Sequence, residues 1–448
     1  MPLHIPLRSG ATALFAAAAC LGAHLAQAAA PGYEIQVGVI ESDNIERLPS
    51  GGTDQTIGVV DLGFTWHEKR ASLDADIDAD VSHLNYFQNA YGDEFIGNFL
   101  GAVKLNLAPQ LFSWEFTDNF GQVPLEPLAP ITPGNRENIN YFSTGPTLSL
   151  PLGSTTELDI TGQYGRVDYQ ATTPLDSTML TGGVSLLHDL SPLANISINA
   201  REQATRFAND QLNPDYDRRE AFARFDTKGS RTELAIDLGY SRLHMAGAND
   251  DIPLGRLQLT RRVSPSSTIG LALGHDYSDG ADSFRTVQGV GGATLNTQPI
   301  IAAAVPFVGS YATLAWNFQH ARTTLNLAAS YFRDRYPADA TLDNDRTVVD
   351  ARVARQLTPT LQLALTEDLV HWEFTGESES TTASDTVLLL RWSVGSRLSV
   401  VLAYYWAKGN GNIPTFQYTE NRVWLSIGYG RAAEAPPGPA PVRLPGMQ

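Results

Sequence analysis

Four aspartates stand at every second position of the stretch SLDADIDADVSHLNYF: Asp74, Asp76, Asp78 and Asp80 alternate with Leu73, Ala75, Ile77, Ala79 and Val81. Carboxylates spaced in this way could hold a divalent cation or line a polar passage. A calcium loop of the EF-hand type starting at Asp74 needs glycine at its sixth position and glutamate at its twelfth; Ala79 and Asn85 stand there instead. A helix would scatter the aspartates around its circumference, whereas a strand sets all four on one face and the aliphatics on the other. The row therefore belongs to a strand with water on one side and an apolar phase on the other. In that setting Asp74, Asp76, Asp78 and Asp80 form a lumen-facing acidic row, either a selectivity or sugar-binding wall or a solvated face balanced by neighbouring strands. Lys104, Arg224, Arg256, Arg262 and Arg352 are expected to point the same way and supply that balance.

Other chemistry is sparse. The chain has one cysteine, Cys20, and no HExxH or G-x-S-x-G pattern, so the nucleophile and zinc arrangements that such motifs announce are not signalled. Asp43, Glu46, Asp54, Asp93, Glu94, Asp250, Asp251, Glu377 and Glu379 fall in polar connections without ligand spacing and read as solvated loop charge. No catalytic residue, metal site or cofactor is expected, and the chain reads as a non-enzyme. A net charge of −17 argues against nucleic acid as a partner.

The elements that position the acidic row repeat along the whole chain. Residues 1–28, with Arg8, an apolar run and Ala26-Gln27-Ala28, read as a secretory signal peptide. Cleavage after Ala28 removes Cys20, so disulfides cannot support the mature fold. No later run of about 18 apolar residues could form a membrane helix. Instead, alternating segments recur: Tyr33, Ile35, Val37 and Val39; Val60, Leu62, Phe64 and Trp66; Phe112, Trp114 and Phe116; Leu234, Ile236, Leu238 and Tyr240; Val423, Leu425, Ile427 and Tyr429. Short turns such as HEKRA (67–71), TKGSR (227–231) and VGSR (394–397) alternate with long loops such as 41–54, 121–140, 243–251, 279–307 and 408–420.

This pattern predicts an all-β fold, a transmembrane antiparallel β-barrel of about 20 strands (roughly 18–22), with short periplasmic turns and long extracellular loops. The barrel should occupy residues 29–430 and sit in the outer membrane. Residues 431–448, rich in Pro and Ala, read as a disordered periplasmic tail. Aromatic residues near strand ends, including Trp66, Tyr86, Tyr331, Tyr336, Trp372, Phe374 and Tyr404 to Trp406, are expected to form interfacial girdles. Outer-membrane lipid and lipopolysaccharide are the expected surroundings; no oligomeric state follows.

Three stretches carry a family likeness: ESDNIERLPSGG (41–52), the LNYF (84–87) that ends the acidic strand, and PDYDRREAFARF (214–225). They resemble the β-barrel porins found with exopolysaccharide and exosortase (PEP-CTERM) systems. The resemblance implies an outer-membrane channel taking part in exopolysaccharide export, with polysaccharide-export components as partners and no assigned catalytic or binding residues. The alternative is a general or substrate-selective diffusion porin for small solutes. The acidic lumen suits a neutral or cationic cargo better than an anionic polymer.

Overall fold

Alternation with a period of two makes each segment half apolar, and neither half is stable unless the strand finds partners on both edges. A computed structural model describes residues 31–126, 129–280, 305–376 and 378–431, and there the strands meet that requirement by closing into a ring. The first ten are β1 (Gly32–Ser42), β2 (Gln55–Lys69), β3 (Leu73–Tyr86), β4 (Glu94–Ala108), β5 (Phe112–Val123), β6 (Glu137–Pro151), β7 (Thr156–Tyr169), β8 (Ser177–Ser191), β9 (Ala194–Phe207) and β10 (Tyr216–Lys228). The rest are β11 (Thr232–Met245), β12 (Ala248–Ser264), β13 (Ser267–Ser278), β14 (Phe307–His320), β15 (Thr323–Arg335), β16 (Asn344–Thr358), β17 (Leu361–Phe374), β18 (Glu379–Val394), β19 (Leu398–Gly411) and β20 (Tyr418–Arg431).

All twenty belong to one sheet, and each pairs with its neighbours in sequence. β20 returns antiparallel onto β1, from Tyr33 opposite Arg431 to Ser42 opposite Arg422. Closure leaves no free edge, so the backbone hydrogen bonds are satisfied within the wall and the strands can lie in lipid. The protein is an outer-membrane β-barrel. Its expected signal peptide (1–28), nearly all of its tail (431–448) and most of the 279–307 loop lie outside the described residues.

The two faces separate as alternation requires. Ile35, Val37, Leu62, Leu425 and Ile427 stand exposed on the outer face, while Gln36, Ile40, Val59, Trp424 and Ser426 are buried on the inner one. Ala75 and Ile77 lie on the outer face but are covered, packed with Trp66, Phe99 and Phe116. The aromatic girdle is thinner than the sequence suggests. Tyr331 and Tyr404 face outward and are exposed, whereas Tyr86, Tyr336, Trp372, Phe374 and Tyr405 are buried.

All but three strands (β1, β5 and β13) are longer than 12 residues, up to the 17 of β12. A tilted strand needs only about 9–11 residues to cross a bilayer, so the wall stands proud of the membrane on the side of the long loops. The largest departure is at 243–251, expected as a loop. Here β11 and β12 run on to a two-residue turn at Ala246 and Gly247, with φ of 50° and 79°. Positive φ at both central residues is the turn whose twist matches a hairpin. Asp250 and Asp251 are consequently strand residues opposite Leu243 and Arg242.

Gly247→Val should therefore destabilise the barrel by about 1–2 kcal/mol, the cost of a β-branched residue in the left-handed region. The urea midpoint of folding into vesicles measures this; an unchanged midpoint would refute the turn assignment.

Candidate functional site in the barrel interior

Cross-strand partners share a face, so the register assigns the lumen residue by residue. Asp74, Asp76, Asp78 and Asp80 stand opposite Lys69, His67, Thr65 and Gly63 of β2. These belong to the same inward face as Asp61 and Ser82, which are joined by a 2.6 Å hydrogen bond. All four aspartates thus face the lumen. The side chains of Asp74, Asp76 and Asp78 are 48 %, 69 % and 44 % exposed, so they stand open to the lumen. Their company is mixed. Lys69 lies 3.8 Å from Asp74, and His67 Nδ1 lies 2.6 Å from Asp76. Asp80 accepts from the backbone and side-chain nitrogens of Asn98. Lys104 stands opposite Asp74 and, on its other side, opposite Glu115.

His67, Asp76 and Asp78 bring their candidate ligand atoms within 4.8 Å of one another. Only one imidazole and two well-exposed carboxylates make up this trio, and the short His67–Asp76 contact already holds them together.

Half the ring away, the wall formed by β9 to β13 carries a cluster of arginines. Arg201 lies 3.0 Å from Glu220, Arg218 3.6 Å and Arg256 3.4 Å, so three guanidiniums converge on one carboxylate that is 1 % exposed. Arg256 also reaches Asp276 at 2.5 Å and Asp237 at 3.7 Å. Arg224 lies 2.7 Å from Asp226 and 3.7 Å from Asp237. The sequence expectation that Arg224, Arg256, Arg262 and Arg352 point inward agrees with the register, but they do not approach the acidic row. Arg224 and Arg256 neutralise carboxylates of their own wall.

A third group was not visible in the sequence. Asp350, Asp368 and Asp385 are direct partners across β16, β17 and β18. Near them the interior is closed rather than watery. Ala354, Ala364, Leu389, Ala403, Trp424, Ile40, Ile57 and Tyr86 are successive cross-strand partners from β16 through β20 to β3. All belong to one buried apolar cluster. Because the strands tilt, this row climbs the wall, from near the turn end of β16 to the loop end of β3.

Above it the first loop, 43–54, folds inward. Arg47 lies 3.1 Å from Glu420 and donates to the hydroxyls of Tyr405 at 2.7 Å and Tyr418 at 3.2 Å. Glu420 in turn accepts from Arg422 at 2.5 and 2.9 Å and from Ser42 at 2.6 Å. Burial works against the charge of Arg47, but Tyr405, Tyr418, Asp385 and Glu420 outweigh it and hold its pKa above the usual guanidinium value. Asn44 donates to the carbonyls of Leu48 and Thr419, and Ile45 sits in the apolar cluster. The loop is a built part of the mouth. Beyond the family likeness of ESDNIERLPSGG, its signal in the sequence is an arginine and an asparagine in an otherwise acidic connection.

Arg47→Ala should destabilise the barrel by about 3–5 kcal/mol, the cost of removing one partner of a buried ion pair. It should also open the 43–54 loop to protease while leaving the heat-modifiable gel mobility of the barrel intact. A loop as resistant in the variant as in the parent protein would show that Arg47 does not anchor it.

No family model and no curated protein matches the chain. Among solved structures it is similar to the FrpB iron transporter from Neisseria meningitidis, at 8 % identity and TM-score 0.44, covering 92 % of this chain and 82 % of that one. It is also similar to the copper transporter OprC, at 8 % identity and TM-score 0.42, covering 90 % and 82 %. A ferric enterobactin receptor from Pseudomonas aeruginosa aligns at 10 % identity and TM-score 0.47, over 90 % and 81 %.

Proposed function

We propose that the barrel is a transport channel that takes part in exporting an extracellular glycan, passing the polymer through its lumen without covalent chemistry. The observation that carries this reading is the pairing of two unlike polar walls: the exposed acidic row of β3 and the arginine–carboxylate ladder of β9 to β13. Sugar hydroxyls both donate and accept. They can exchange hydrogen bonds with guanidinium and carboxylate groups on one side while water fills the other. The acidic row repels anions and favours a neutral or cationic chain.

The resemblance to exopolysaccharide-associated barrels supports the same class of cargo through the position of its three stretches. ESDNIERLPSGG contains the inward loop anchored by Arg47, LNYF contributes the buried Leu84 and Tyr86, and PDYDRREAFARF contributes Arg218, Glu220 and Arg224. All three contribute to the interior, where a cargo would pass. Components that deliver the polymer from the periplasm are the implied partners, at the end carrying the short turns.

A diffusion porin for small solutes is the second reading, favoured by the free exposure of Asp76. Planar-bilayer recordings separate the two. The refolded protein should conduct with cation selectivity, and changing Asp74, Asp76, Asp78 and Asp80 together to Asn should bring the reversal potential in a salt gradient close to zero. Neutral oligosaccharides should reduce the current in both proteins. Ion flow indifferent to oligosaccharide, together with normal polymer secretion in a deletion strain, would leave the porin reading in place of the export channel.

A further inference from the structure

The outer face carries a charged feature that the lumen does not use. Near the loop ends of β9 to β12, Glu202, Arg219, Arg242 and Asp251 are direct cross-strand partners in one row. They lie on the outward side, the same side as the exposed Ile198, Leu238 and Tyr240. The two arginines stand opposite one another in the middle, and like charges in direct register across a sheet are destabilising.

Each arginine is steadied from its far side. Arg219 lies 2.8 Å from Glu202. Arg242 donates from Nε and Nη2 to both oxygens of Asp251, at 2.6 and 2.9 Å. These contacts use the Nε–Nη2 edge of each fork and leave the Nη1 side for another anion. Both side chains are more than half exposed, at 65 % and 55 %. One turn of the pleat nearer the loops, Arg206 lies 2.7 Å from Asp217. Towards the membrane the face becomes apolar, with Tyr240 and Leu238 on β11 and Ile198 on β9 each about two-thirds exposed at 68 %, 65 % and 68 %.

We infer that this row is a docking site for a phosphorylated lipid of the outer leaflet, with a lipid phosphate seated between Arg219 and Arg242. A phosphate there removes the repulsion between the guanidiniums and takes hydrogen bonds from both forks. The acyl chains of the same molecule descend over Tyr240, Leu238 and Ile198. The position explains why the source is a lipid rather than free phosphate: the arginines lie where the apolar outer face gives way to the wall that stands above the membrane.

Native mass spectrometry of the detergent-solubilised barrel tests this with bisphosphorylated lipid A and its dephosphorylated form as probes. The parent protein should bind the phosphorylated form about thirtyfold more tightly, as two arginines near an anionic lipid surface allow. Arg219→Gln with Arg242→Gln should abolish that preference while keeping the heat-modifiable mobility of a folded barrel. Arg333→Gln, an outward arginine opposite Ser310 and Asp345 rather than a second arginine, should leave it unchanged. A preference that survives the double substitution, that falls equally with Arg333→Gln, or that millimolar inorganic phosphate erases would overturn the proposal.

Discussion

The need to satisfy every backbone hydrogen bond in an apolar medium governs the rest of this molecule. A strand in lipid has no water to pair with, so each of the twenty must find a partner on both edges, and only a ring provides that. Once the ring exists, alternation gives it an apolar outside and a polar inside. The size of the ring then poses a second problem. Twenty strands enclose more space than the wall's own side chains fill by simple alternation. The interior answers unevenly, with a packed apolar strip and an inserted loop reaching the loop end of β3 and open space beside Asp76 near the turn end of the same strand.

That unevenness separates the lumen into regions of different electrostatic character. Along β9 to β13 each buried carboxylate has arginine within reach, so the desolvation of Glu220 and Asp237 is offset by direct pairing. Along β3 Asp74, Asp76 and Asp78 stand open to the lumen, with Lys69 and His67 as close partners, while Asp80 accepts from Asn98. The first wall is nearly neutral. The second is open and negative, and salt screens it.

Much of this was readable in the chain because period-two alternation is a local property. The strand count, the acidic row and the inward direction of Arg224 and Arg256 all follow from counting along one segment at a time. What eluded the sequence depends on register between segments. Glu220 is an unremarkable residue until β9 and β12 bring Arg201 and Arg256 to it, and Asp350, Asp368 and Asp385 are far apart in sequence before pairing aligns them. The polar run at 243–251 imitated a loop because its strand stands above the membrane, where Asp251 and Arg242 meet water on the outer face. Tyr86, Trp372 and Tyr405 looked like girdle residues because aromatic enrichment at strand ends does not say which face they occupy.

The ties of the first loop have a consequence for assembly. Ser42, Asp43, Asn44 and Arg47 reach Thr419, Glu420 and Asn421, partners more than 370 residues later in the chain. None of these ties can form until the final strand has arrived beside the first. The mouth is therefore narrowed by the same event that completes the cylinder, and an unfinished barrel, still open along that join, lacks the fastening that holds its entrance loop. Order at the entrance is a by-product of completion, which lets the finished molecule differ from every precursor at the end that faces the outside world.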